Sequence, residues 1–265
     1  MSRITEAIDQ SKDNKRSVFV AYVTAGDPNL EETGRIVKTI ADNGADIIEL
    51  GVPFSDPMAD GPTNQLAAER ALANGVGLRD IIGLVKNIRN DGVQVPIVLF
   101  TYLNPVFKMG FTTFASEAQE AGIDGALVVD LPPQEIDSYQ EAMKQHGLDT
   151  IFLASPTTDA ERLKFISSQS SGFVYYVSRT GVTGARTDVS DSLGGELDVV
   201  RQNVGLPVMV GFGISTPEQA KQVAQSSDGI VIGSALVKII EGAKGNDELH
   251  QSLSTFVSSI RQALS

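Results

Sequence analysis

The sequence predicts an α/β fold, a closed (β/α)8 barrel in a single domain with a short extra helix at its N-terminus. Three observations lead there. About eight near-continuous apolar runs of strand length recur along the 265 residues, each bounded by Gly, Pro or polar turn residues. Amphipathic stretches of helical period separate them, which implies parallel strands covered on both faces. No linker or low-complexity segment divides the chain, and eight such strands in roughly 250 residues close a barrel as one unit. An open doubly wound sheet is the alternative.

The elements follow in order. Ile4, Ala7 and Ile8 recur at helical spacing within 3–13 and give the leading helix. The run 17–23 is the first strand, ended by Gly26, Asp27 and Pro28. A helix covers 29–43, with Ile36, Val37, Ile40 and Ala41 on one face and Gly44 as its stop. The second strand is 46–52; Thr63 then caps a helix reaching Asn74, and another helix spans 78–90. Strands three to eight are 96–101, 125–130, 150–154, 173–178, 207–211 and 229–233. Between and after them lie amphipathic stretches at 114–121, 136–145, 160–168, 197–203, 217–225 and 249–264.

In such a barrel the C-terminal ends of all strands face one mouth, and polar residues there gain meaning together. Glu49 sits within the second apolar run, where lost hydration favours the protonated carboxyl unless a partner compensates. A loop with three prolines follows it, stiff and carrying Asp56 and Asp60. The bland reading is that a strand Glu is solvated or paired and that Asp60-Gly61 is only a turn. A buried Glu, a rigid loop at its strand end and a second carboxylate in that loop together favour catalysis. Thr101 to Asn104 after strand three, Asp130 after strand four, and Tyr175 with Arg179 at strand six complete the polar mouth; strand five offers nothing comparable.

Two Gly-rich turns follow the last strands, Gly211-Phe212-Gly213 and Gly233-Ser234. Barrels often hold phosphate between the loops after strands seven and eight, where glycines and a helix N-terminus bring backbone N–H groups close. Each turn alone is an ordinary strand-to-helix connection; their consecutive placement favours phosphate. Neither matches a nucleotide fingerprint. The polar, glycine-interrupted stretch 179–189 reads as a lid that closes over a ligand.

Composition removes other classes. The chain has no Cys and only two His, His146 and His250, so neither disulfides nor thiolate or histidine-cluster metal sites are expected; metal: none. A net charge of −12 argues against nucleic acid. No signal peptide and no apolar run of membrane-spanning length is found, so a soluble, cytoplasmic protein is expected.

The run ELGVPFSDPMADGPT at 49–63, with Thr101-Tyr102-Leu103-Asn104-Pro105, Gly181-Val182-Thr183-Gly184 and Gly211-Phe212-Gly213-Ile214, resembles the α subunit family of tryptophan synthase along nearly the whole chain. The chain departs from the family pattern at Met58, Asn64 and Leu103, none of which is a carboxylate. The resemblance implies a TIM barrel and retro-aldol cleavage of indole-3-glycerol phosphate to indole and glyceraldehyde 3-phosphate, without metal or organic cofactor in this chain. It implies Glu49 as general acid/base and Asp60 as acceptor of the ring N–H. Gly184, Gly213, Gly233 and Ser234 would hold the phosphate. Phe100, Leu127 and Tyr175 would line the indole pocket, Phe212 would lie near the side chain, and Thr183 in the lid would reach Asp60. Asp56, Asn104 and Pro132 would face a β subunit that carries pyridoxal phosphate and receives the indole in an α2β2 complex. A stand-alone lyase, a non-catalytic phosphate-binding homologue and a phosphate-binding isomerase or epimerase are the remaining readings.

Overall fold

In the computed structural model, which describes residues 1–178, 191–211 and 213–265, the apolar runs become eight strands: β1 (Val18–Thr24), β2 (Ile47–Gly51), β3 (Ile97–Thr101), β4 (Gly125–Val128), β5 (Asp149–Ala154), β6 (Val174–Val177), β7 (Val208–Gly211) and β8 (Gly229–Ile232). Each pairs in parallel with its sequence neighbour, and β8 pairs with β1, so the sheet closes in chain order. This is the (β/α)8 or TIM barrel; the open sheet is excluded.

The helices are α1 (Arg3–Asp13), α2 (Leu30–Asp42), α3 (Pro62–Ala73), α4 (Leu78–Asn90), α5 (Leu103–Met109), α6 (Phe111–Ala121), α7 (Asp137–Gln145), α8 (Ala160–Gln169), α9 (Asp191–Asn203), α10 (Pro217–Ala224), α11 (Ser234–Gly242) and α12 (Asn246–Ala263). Local chemistry sets their ends. Asn29 accepts from the Glu32 N–H at the start of α2, and Thr216 does the same for Gln219 at the start of α10. The expected Thr63 cap is corrected: Gly61 is the N-cap and Pro62 opens the helix, because proline has no N–H to satisfy in the first turn. Two short helices, α5 and α11, come in addition to the expected elements.

Side chains alternate along each strand, so one face fills the barrel and the other meets the helices. Val18, Val20, Ile47, Val98, Leu127, Ile151, Phe173, Met209 and Val231 form the interior cluster. Ile4 and Ile8 of α1 join it, so the leading helix plugs the N-terminal end; burying each contributes about 1.5–3 kcal/mol. A larger cluster lies between the barrel wall and the helices.

The N-terminal rim repeats one device four times. Asp46 accepts from the Phe19 N–H at 2.8 Å and returns its own N–H to the Phe19 carbonyl at 2.8 Å. Asp124 with Ile97, Ser171 with Thr150, and Asp228 with Val208 make the same reciprocal pair across β3/β4, β5/β6 and β7/β8. Arginines within 2.9 Å close two of them, Arg16 and Arg261 on Asp46 and Arg3 and Arg89 on Asp124, and Arg201 stands 3.8 Å from Asp228 in a third.

Candidate active site

The interior phase carries forward into the mouth. Ile47 points inward, so Glu49, two residues on, does too; Tyr22, Phe100 and Tyr175 follow Val20, Val98 and Phe173 in the same way. Register sets Glu49 beside Tyr22 on β1 and Val98 on β3, and Phe100 beside Leu127 on β4. Tyr22 and Phe100 meet edge to face, with ring centroids 5.3 Å apart. Glu49 therefore lies on the floor of an aromatic and aliphatic chamber.

The same phase makes residues 51, 211 and 233 inward-facing, and all three are glycine. A Cβ on Gly51 would overlap the Tyr22 hydroxyl, and one on Gly211 would meet the Tyr175 ring at 2.8 Å. On Gly233 it would approach the Tyr22 ring at 3.1 Å. The glycines of the late turns thus serve packing as well as any ligand, since two tyrosine rings lean across the space their side chains would fill.

Glu49 has no exposure, and neither carboxylate oxygen has a hydrogen-bond partner. Stranded from water, its carboxyl is pushed up from 4.5 to about 8. It carries a proton at neutral pH.

Asp60 is built differently. Burial raises its proton affinity, while hydrogen bonds from Tyr102 and Asn64 pull it back. The Tyr102 hydroxyl donates to Oδ2 at 2.8 Å and accepts from the Ala59 N–H at 3.1 Å, so the loop backbone orients the phenol that holds the carboxylate. Phe54 stacks on the Tyr102 ring with centroids 5.1 Å apart, and Gln65 ties down the Asp60 carbonyl at 2.9 Å. Two carboxylates thus share one mouth, one starved of donors and one supplied with them.

On the opposite wall, α11 starts at Gly233 with no side chain capping its first turn, leaving N–H groups open toward an anion. Gly233 and Ser234 are half-buried; Gly213 is exposed, with φ +68, the left-handed region that favours glycine. Among the described residues no group of three His, Cys, Asp or Glu could hold a metal ion. No helix among them is long and apolar enough to cross a membrane.

Of the residues singled out in the sequence, Glu49, Phe100, Leu127 and Tyr175 come together in the inward layers. Asp60 comes with them: its charge acts on Tyr22 and Tyr175. Asp130 does not join them; it is exposed and accepts from the Leu103 N–H at 2.6 Å, capping the start of α5. Asp56, Asn104 and Pro132 are exposed, in the loops and the short helix that follow β2, β3 and β4. Thr183, Gly184, Phe212, Arg179 and the expected lid lie outside the described residues. Tyr22 and the Tyr102–Asp60 bond were missed; the phase of Val18, Val20 and Tyr22 was the available signal for the first.

A closed parallel barrel whose mouth pairs a proton-bearing carboxyl with an ionisable one defines a barrel enzyme of acid–base chemistry. The sequence profile of the family described as tryptophan synthase alpha chain matches residues 8–265. Relatives include the tryptophan synthase alpha chain of Geobacter sulfurreducens, 50% identical over 100% of this chain and 99% of that protein. That of Neisseria meningitidis serogroup B is 47% identical over 93% of this chain and 94% of its own. The subunit alpha structure from Legionella pneumophila superposes with a TM-score of 0.92 at 41% identity, covering 100% of this chain and 98% of that one. A chain of Mycobacterium tuberculosis tryptophan synthase in its aminoacrylate-bound form gives 0.88 at 33%, covering 100% of both. The chain belongs to the tryptophan synthase alpha chain family, an enzyme family with lyase activity that cleaves indole-3-glycerol phosphate in tryptophan biosynthesis. Membership implies a beta-subunit partner.

Proposed function

We propose that Glu49 and Asp60 carry out this cleavage between them, in one domain and with no metal or organic cofactor bound to this chain. The Glu49 carboxyl gives its proton to indole C3, and the positive charge that develops on the ring is met by ionised Asp60 at the ring N–H. The Glu49 carboxylate then takes the proton of the adjacent side-chain hydroxyl as the carbon–carbon bond breaks. The bonding pair returns to the ring, indole leaves, and the aldehyde of glyceraldehyde 3-phosphate forms; Glu49 ends protonated, as it began. The observation that carries this is the Glu49 carboxyl itself, fully buried, unpartnered and protonated up to about pH 8.

Phe100, Leu127 and Tyr175 enclose the indole, with Phe212 near the side chain. Gly184, Gly213, Gly233 and Ser234 hold the phosphate, and Thr183 closes on Asp60. Support for the phosphate end is the uncapped start of α11. Asp56, Asn104 and Pro132 meet the β subunit, which carries pyridoxal phosphate and takes up the indole in an α2β2 assembly in the cytoplasm. Met58 and Phe107, large apolar side chains 85% and 67% exposed beside Asp56 and Asn104, support docking there.

The test is to incubate the purified chain with indole-3-glycerol phosphate and follow indole with and without β subunit. Turnover that rises with β subunit supports the whole reading. Glu49→Gln should fold and bind ligand yet lose turnover; cleavage at the wild-type rate removes Glu49 from the mechanism.

A further inference from the structure

We infer that Arg70 is a positioning residue for the cleavage: it pins the helix that follows the Asp60 loop against the elements beside the phosphate end, and so fixes the span between the two ends of the site. This rests on the roles proposed above for Asp60 and for the start of α11. Asp60 immediately precedes Gly61, the N-cap of α3, and Gln65 in the first turn of that helix holds the Asp60 carbonyl at 2.9 Å, so the loop end moves with α3. The phosphate end begins α11 at Gly233. The two helices meet over one residue of the mouth: Ala67 of α3 and Val237 of α11, both without exposure, pack with Tyr22 of β1. Apolar contact is non-directional, so it holds the helices together without setting where one stops along the other.

Arg70, one turn beyond Ala67, supplies the direction. Its Nε and Nη2 donate to Oδ1 and Oδ2 of Asp27 at 2.9 and 2.8 Å, and its Nη1 donates to Glu241 of α11 at 2.9 Å. Asp27 lies in the turn after β1 and is 3% exposed; Arg70 is its ion-pair partner among the described residues. Asn74 at the end of α3 donates to the carbonyls of Gly26 and Pro28, on either side of Asp27, at 3.2 and 2.6 Å. A guanidinium fork on a carboxylate fixes angle as well as distance, so the grip on buried Asp27 sets α3, while the exposed limb to Glu241 adds little alone. A substrate held at the ring N–H by Asp60 and at its phosphate by α11 senses the span between them, and a misplacement of about 1 Å costs about 10²-fold in rate. A ligand that touches one end only does not sense it.

The experiment measures indole-3-glycerol phosphate cleavage by wild type, Arg70→Met, Arg70→Lys and Arg89→Met, each shown to fold by urea denaturation and assayed well below its melting temperature. Competitive inhibition by inorganic phosphate and by indole is measured beside it, one probe for each end. Arg89→Met is the control, since it also takes an arginine from a buried aspartate, Asp124, but at the other end of the barrel. Arg70→Met is expected to lower kcat/KM about tenfold to a hundredfold while both inhibition constants stay within about twofold. Arg70→Lys, which keeps the charge without the fork, should fall between it and wild type, and it decides by the same criteria if Arg70→Met does not fold. Wild-type kcat/KM in the folded Arg70 variants overturns the inference, as does an equal loss in Arg89→Met, which would make the effect one of general stability. An inhibition constant that weakens as much as kcat/KM also overturns it, because Arg70 would then build one end and not the span. Inorganic phosphate that fails to inhibit wild type, or turnover retained by Asp60→Asn, overturns the proposed site itself and this inference with it.

Discussion

The two ends of the barrel bury the same kind of side chain and treat it in opposite ways. At the N-terminal rim Asp46 and Asp124 each receive a backbone N–H and two guanidinium groups within 2.9 Å. At the mouth Glu49, deeper still at 0% exposure against 9% and 7%, receives nothing. A buried carboxylate supplied with donors fixes structure, even where burial raises its proton affinity as at Asp124; a stranded one holds its proton and is available for chemistry. Asp149 at the rim also has a buried oxygen without a partner, but it keeps 9% exposure where Glu49 has none. Position in the barrel alone therefore does not define the site. What defines it is full burial together with the absence of donors.

The comparison predicts opposite signs for substitutions at the two ends. Glu49→Gln has the largest expected effect, a loss of cleavage of about 10²–10⁴-fold, the usual contribution of a general acid or base. It should also stabilise the fold. A carboxyl whose folded value is raised from 4.5 to about 8 binds more protons folded than unfolded between those limits, so wild-type stability falls as pH rises through that window. The variant escapes this penalty. Its advantage in urea denaturation should be small near pH 5 and reach a few kcal/mol above pH 8, at about 1.4 kcal/mol for each pH unit crossed. An advantage that stays flat with pH would mean that Glu49 is solvated or paired after all.

Arg89→Met probes the rim. Arg89 donates to Asp124 at 2.8 Å and to the carbonyls of Val93, Val95 and Gly122 within 3.0 Å, with burial lowering its guanidinium to about 10. Removing it leaves Asp124 short of one partner and three carbonyls without a donor, and should cost about 3 kcal/mol. With Glu49 and Asp60 untouched, kcat measured well below the new melting temperature should stay within about twofold, since the change lies outside the mouth. A fall in kcat at unchanged stability would contradict the division between the ends.

Much of this was legible because parallel strands buried on both faces write themselves as unbroken apolar runs, and all eight were read that way. Glu49 stood out as the acid inside such a run. The glycines at 211 and 233 were read as places where a phosphate approaches; the inward phase adds that Tyr175 and Tyr22 need the same space. Less was legible where partners are distant in sequence. Tyr102 reaches Asp60 across 42 positions, and the N-terminal clasps join residues about 20 to 27 apart whose aspartates look like turn formers. The start of α3 was misread by two residues because Thr63 is a better cap on propensity than Gly61, yet Pro62 claims the first helical position. Helix α5, seven residues with Pro105 inside it, is too short for periodicity to reveal.

The smallest predicted effect isolates the N-terminal device from its charges. Ser171 occupies the place that Asp46, Asp124 and Asp228 hold in the other three quarters, and its hydroxyl accepts from the Thr150 N–H at 2.9 Å while its own N–H reaches the Thr150 carbonyl at 2.8 Å. Ser171→Ala keeps the backbone half of the pair and leaves one strand N–H without an acceptor. The cost should be about 1 kcal/mol, visible as a lower urea midpoint at constant m-value, with kcat and its pH profile unchanged. If the clasp contributes mainly through charge, as the arginines on Asp46 and Asp124 suggest on their own, this neutral quarter should tolerate alanine with no shift at all. A measurable loss would assign part of the stabilisation to the hydrogen bond that all four quarters share.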